Sequence, residues 1–270
     1  MADFSACFLL VFGQLAVGGL AALAVPPFAV LERGFYKSSA GVFLGCAVVY
    51  LAGTLDLALR TGVAIGRLEI AFWAAFTLAL AVYLASLWGE VGRRRARAYS
   101  TALLLGLAAI AASAGRYRVG PLLSPGTVLY PLAFVTGALA LGAVATGMLL
   151  GHWYLIDLGL SIEPMRRLFR YFVAVVVVHV AVLAVTILVM ALTPVGAAAT
   201  ATLWRDHLPL LAARFLLGPL AALGFALMIH RTLQIPQTMA ATGLFYIAIL
   251  FVLVGELLGR LILFRTSLPL

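Results

Sequence analysis

The chain has 270 residues, 65% of them hydrophobic and only 10% charged, with a mean hydropathy of +1.16 and a formal net charge of +9. A soluble domain of this length needs far more charge to cover its surface, so the composition excludes one. In this setting the positive charge speaks of topology and lipid contact, and no nucleic-acid partner is expected.

A helix needs about 20 residues to cross a hydrocarbon core of roughly 30 Å. Apolar runs of that kind lie near residues 7–31, 39–59, 67–89, 99–115, 127–152, 170–192, 208–230 and 240–263. They lack the period-2 alternation of barrel strands. The expectation is a single all-α transmembrane domain: a polytopic integral membrane protein, a bundle of about eight helices with no inserted soluble domain.

Asp3 precedes the first span with no Lys or Arg before it, so the start reads as an uncleaved helix and not as a signal peptide. Gly13, Gly18 and Gly19 offer that span a close-packing face, and Pro26-Pro27 should kink or end it. Cys7 and Cys46 fall in apolar surroundings on different spans and read as buried thiols. Late in the second span, Asp56 has Arg60 four residues on, the neighbouring position on one helix face. The densest basic cluster, Gly92-Arg93-Arg94-Arg95-Ala96-Arg97, precedes the fourth span. Placed in the cytoplasm by the positive-inside tendency, it puts both termini on the outer side of the cell (inner) membrane. Pro121 and Pro125 mark an ordered outer turn, and the fifth span carries Gly137, Gly142, Gly147 and Gly151.

The fifth span closes on Gly151-His152-Trp153-Tyr154-Leu155-Ile156-Asp157. Its bland reading is an interfacial aromatic belt. Its sharper reading is a ligand site with His152, Trp153, Tyr154 and Asp157, where Asp157 holds the second ring nitrogen of His152 and the loop from Leu158 to Arg170 closes over a headgroup-level ligand. His179 lies well inside the sixth span, and an intramembrane ionisable group is by default a functional hypothesis. His230 ends the seventh span. By depth His152 and His230 could pair as the two axial ligands of a b-type haem.

Pro219 predicts a kink in the seventh span, and Arg214 sits early in that span with no acidic residue one turn away. A buried Arg needs a partner, and Glu256 on the following helix lies at a matching depth. Glu256 in turn has Arg260 four residues on, repeating the Asp56–Arg60 pattern. With Gly18-Gly19-Leu20-Ala21-Ala22-Leu23 against Gly218-Pro219-Leu220-Ala221-Ala222-Leu223, this suggests parallel copies of a hairpin, although Gly/Ala/Leu matches arise readily in such a composition. The structural reading of both acidic–Arg pairs is self-neutralisation. The chemical reading gives Glu256 as proton acceptor, Arg214 as orienting charge and His179 as relay, with Asp56, Arg60, Arg260 and His230 as ligand-side groups. Pro236 lies in the loop before the eighth span.

There is no phosphate-binding lysine loop, dinucleotide fingerprint, HExxH, GxSxG or CxxCH. At the level of architecture alone, an eight-helix chain with few charges resembles the quinol-handling membrane anchors of bacterial respiratory reductases. The expectation is a membrane subunit of a bacterial redox complex with protein partners, binding quinone or quinol and carrying haem b if the histidines serve. The alternatives are a small-molecule or ion transporter and a non-catalytic anchor.

Overall fold

A computed structural model describes every residue except 1, 63–64, 158 and 236, and leaves the side chains of 2, 3 and 195 undescribed. Leu158 and Pro236 from the sequence reading therefore lie outside the described residues, as does the side chain of Asp3. The elements are α1 (Ala2–Ala22), α2 (Arg33–Thr61), α3 (Arg67–Ser86), α4 (Gly92–Tyr117), α5 (Gly126–Ile156), α6 (Glu163–Ala191), α7 (Pro194–Asp206), α8 (Leu208–Phe215), a π-helical segment (Leu216–Leu220), α9 (Ala221–Gln234) and α10 (Thr238–Thr266). Eight helical spans, with α8 to α9 counted as one, are long and apolar enough to cross a membrane. The chain is an all-α multi-pass membrane bundle, and no strand occurs among the described residues.

The boundaries differ from the sequence reading in instructive ways. The first span ends at Ala22 and not near 31, because Pro26 and Pro27 cannot continue a helix; the chain turns there instead. The Arg93–Arg97 cluster is the first turns of α4 and not a loop. The sixth span begins at Glu163, with Pro164 early in its first turn, where a missing N–H costs nothing. The segment after it, read as a connection, holds α7, whose Thr193 cap accepts from the Gly196 N–H at 3.1 Å.

The axis of the bundle is α5, with α1, α4, α6 and α10 packed around it; α2 and α3 cover the α1–α4 side, and α8 and α9 cover α10 and α6. Small residues make this possible, since lipid gives helices little hydrophobic reason to associate. A Cβ on Gly142 would fall 1.8 Å from the Gly18 carbonyl carbon, so α1 and α5 touch backbone to backbone there. Further along, Gly147 lies under the Phe245 ring and Gly151 under Thr242, both on α10. The surface left to lipid is apolar, with Leu59, Leu104, Leu188 and Leu250 all exposed. With eight spans, the start of α1 and the end of α10 share one side, called here the N-terminal side.

Candidate functional site

Four ionisable side chains from three helices meet inside the bundle. Glu256 and Arg260 come from α10, His179 from α6 and Arg214 from α8; Arg260 is 0% exposed, Arg214 and Glu256 1% and His179 4%. Glu256 lies ten residues before the end of α10, about 15 Å of helix rise from its N-terminal-side end.

The backbone makes room for them. Pro219 has no N–H to give to the carbonyl one turn back, and the helix widens into a π turn over Leu216–Leu220 just after Arg214. The expected kink at Pro219 is thus a π segment. In it Gly218 lies against Gly255 of α10: a Cβ on Gly255 would stand 2.4 Å from the Gly218 Cα. The Arg214 guanidinium runs through the slot these glycines leave, since a Cβ on Gly218 would lie 2.7 Å from its Nη1 and one on Gly259 would lie 2.8 Å from its Nε. The main chain of Leu270 also lies against Gly259. On the α5 side, a Cβ on Gly137 would stand 2.5 Å from Glu256 Oε2 and 3.1 Å from Gln14 Nε2, so that glycine holds space for the carboxylate.

The carboxylate is the centre. Arg214 Nη2 donates to Glu256 Oε1 at 2.6 Å, and Arg260 Nη2 donates to Oε2 at 3.2 Å. His179 Nε2 stands 3.1 Å from Glu256 Oε1 and 3.1 Å from Arg214 Nη2, while its Nδ1 is 2.9 Å from Thr136 Oγ1. Three polar atoms therefore share one triangle, and the proton on the imidazole decides which edges are hydrogen bonds. With the proton on Nε2, His179 donates to the carboxylate and Nδ1 accepts from Thr136. With the proton on Nδ1, that nitrogen donates to Thr136, whose hydroxyl turns to the Leu132 carbonyl at 2.9 Å, and Nε2 accepts from Arg214. Both tautomers find partners, so the site holds two arrangements of one proton without moving a heavy atom.

The charges do not balance. One carboxylate faces two permanently charged guanidiniums, leaving an excess positive charge when the imidazole is neutral. Arg260 spreads part of that charge over the Phe134 ring, 4.1 Å away. Even so, Arg260 Nε and Nη1 and Arg214 Nε are buried with no hydrogen-bond partner, as is Gln14 Oε1. Gln14 Nε2 donates to the Phe134 carbonyl at 2.9 Å, which ties α1 to α5 beside the cluster.

A second buried carboxylate lies on the same side between α2, α3 and α4, and the sequence reading does not contain it. Glu69 Oε1 accepts from Ser113 Oγ at 2.8 Å and from the Tyr50 hydroxyl at 3.3 Å, and Trp73 Nε1 donates to Ser113 Oγ at 2.8 Å. Arg116 Nη1 stands 3.3 Å from Glu69 Oε2. A cavity of about 10 Å³, enough for one water, opens beside Tyr50, Glu69 and Trp73. Arg116 also donates to the Tyr117 hydroxyl, and the Tyr117 ring stacks on Phe134 at 6.3 Å, the ring that carries Arg260. The two clusters are thus neighbours across two aromatic rings.

The remaining sequence candidates do not join either cluster. Asp56 and Arg60 pair with each other at 2.8 Å on the exposed face of α2. The His152–Asp157 segment is dispersed because successive helix residues point about 100° apart. His152 Nδ1 meets the Tyr246 hydroxyl of α10 at 3.2 Å, Trp153 lies against Phe35 and Gly34 of α2, and the Tyr154 hydroxyl donates to the Ser161 carbonyl at 2.6 Å. Asp157 accepts from the Gly159 N–H at 3.1 Å and does not hold the His152 ring, since it caps α5 and stands outside the helical turn that would aim it there. His230 stacks on Phe169 at 5.9 Å and meets Gln234 at 3.1 Å, so His152 and His230 each have protein partners of their own.

Thr136 and Gln14 were invisible in the sequence because only the fold brings them to Glu256, and Gly137 read there as a packing residue alone. One signal was present: Gly255-x-x-x-Gly259 is a small-residue face for close helix approach, and Glu256 sits inside it. Neither the known family models nor the curated proteins compared with this chain match it.

Proposed function

We propose that this chain is a proton-exchanging membrane subunit of a bacterial redox complex, with Glu256 as proton acceptor, His179 as relay and Arg214 and Arg260 as the charges that orient the carboxylate. The observation that carries this reading is the triangle of Glu256, His179 and Arg214, in which the imidazole proton has two satisfied positions inside a shell that water does not reach. A proton-passing group needs a partner for its proton in each state, and His179 has Glu256 on one nitrogen and Thr136 on the other. The surplus guanidinium donors suit an acceptor-rich partner, and the carbonyl oxygens of a quinone have that chemistry. Protein partners follow from the same reading, in which the electrons pass to a redox centre on another subunit or to a haem b held by histidines of this chain.

A second reading, a proton-coupled small-molecule transporter, is favoured by the π segment beside Arg214, since interrupted membrane helices line transport sites. One experiment separates the two. The native assembly is purified in mild detergent, its quinone content measured, and quinol oxidation compared between the wild type, Glu256→Gln and His179→Gln. The redox reading expects co-purifying quinone and redox partners, with oxidation lowered at least tenfold in both variants. Oxidation that survives Glu256→Gln removes the proposed acceptor. A colourless protein without quinone or partners transfers the site to the transporter reading.

A further inference from the structure

The opposite side of the bundle holds a cavity that none of the chemistry above uses. It has a volume of about 360 Å³, within the range of small-molecule sites, and lies where the α1–α2 turn meets the start of α4. Its walls are the Pro26–Phe28 turn, Tyr36 of α2, Arg95 and Tyr99 of α4, and Arg167 of α6, whose guanidinium is already paired with Glu163 at 3.1 Å. The Arg95 guanidinium carbon lies over the Phe28 ring, 3.8 Å from its centroid, a contact that favours this position. Beyond that ring, the guanidinium forms no ion pair or hydrogen bond with any described residue. No acidic residue stands one turn away on α4, where Val91, Gly92, Ala98 and Tyr99 occupy the neighbouring positions.

The hydroxyls nearby are already spent. Tyr36 donates to the Pro26 carbonyl at 2.8 Å, Tyr99 to the Leu20 carbonyl at 3.2 Å and Ser100 to the Ala96 carbonyl at 3.0 Å. What the cavity still has to give is a fixed positive charge with an unmet N–H, reinforced by the positive end of the long helix α4. A half-buried cation with no counter-charge favours an anionic acceptor, which satisfies both the charge and the N–H groups that face the cavity. The level of the cavity, at the ends of α1, α2, α3 and α4, is that of lipid headgroups. We propose that this cavity binds a phosphate group, anchored by Arg95 and seated between the Pro26–Phe28 turn and the first turns of α4.

The phosphate could be that of an anionic lipid or free in solution, and the test separates these sources. The protein is reconstituted in nanodiscs of phosphatidylcholine alone, with added phosphatidylglycerol, or with added inorganic phosphate, and its thermal unfolding is followed. Specific binding raises the midpoint by mass action. Stabilisation by phosphatidylglycerol only identifies the lipid; stabilisation by inorganic phosphate as well identifies a soluble anion. In either case Arg95→Gln should weaken binding roughly tenfold or more, the loss expected for one charged hydrogen-bonding partner. Ala96→Leu, which sets a bulkier side chain into the cavity wall and leaves the charge in place, should also weaken it, and so keeps the test decisive if Arg95→Gln folds poorly. Arg93→Gln, which changes an exposed arginine outside the cavity, should bind as the wild type does. No stabilisation by either additive, or equal stabilisation of Arg93→Gln, Arg95→Gln and Ala96→Leu, overturns the proposal.

Discussion

Replacing Glu256 with Gln removes the one negative charge between two guanidiniums that are 0–1% exposed. The amide oxygen can keep one hydrogen bond, but it is neutral, and the amide nitrogen then points a donor at the second arginine, itself only a donor. Breaking a buried ion pair by removing one partner costs about 3–5 kcal/mol, and here one carboxylate serves two cations. At roughly 2–4 °C per kcal/mol for a chain of this size class, the unfolding midpoint should fall by about 6–20 °C. Cys7 and Cys46 are buried and form no disulfide, so reaction with a maleimide dye during a thermal ramp in mild detergent reports the loss of structure. Adding Arg260→Met to Glu256→Gln removes the surplus charge and should recover much of the loss, because apolar replacement of a buried ionic set is close to neutral. A midpoint unchanged in Glu256→Gln would refute the reasoning, since it would mean that the arginines find another counter-charge or reach water.

Gly137→Ala places a methyl 2.5 Å from Glu256 Oε2, which must shift the carboxylate off Arg260; we expect a loss of about 1–3 kcal/mol, read in the same thiol assay. Glu69→Gln should destabilise as well, but less than Glu256→Gln, because Arg116 is 24% exposed and can turn toward water; equal losses in the two variants would contradict the difference in burial. Asp56→Asn breaks only an exposed i,i+4 pair and should leave the unfolding midpoint where it is, and a large drop would show that this pair has a partner it lacks here.

The eight spans were legible because lipid cannot satisfy a backbone polar group, so each crossing must be a long apolar helix. Their ends were less so. Hydropathy continues through Val25-Pro26-Pro27-Phe28-Ala29-Val30 although the helix stops at Ala22, and the 13-residue α7 is too short and too mixed to register as a run. At the site, the partnership of Arg214 with Glu256 followed from the rule that a buried charge needs an opposite one. The difference between Asp56-x-x-x-Arg60 and Glu256-x-x-x-Arg260 did not follow, since the two patterns are the same in sequence and only packing exposes one and encloses the other. Gln14, Thr136 and the Glu69 cluster depend on which helices become neighbours, and the spacing along one helix carries no such information.

The central claim is that Glu256 takes up and releases a proton. It is tested most directly by infrared difference spectroscopy of the purified assembly, before and after addition of a quinol. The account predicts a carboxylic-acid C=O band that appears with turnover, shifts when the solvent is exchanged to heavy water and is missing in Glu256→Gln. A spectrum without that band, or one in which Glu256→Gln keeps it, would contradict the account.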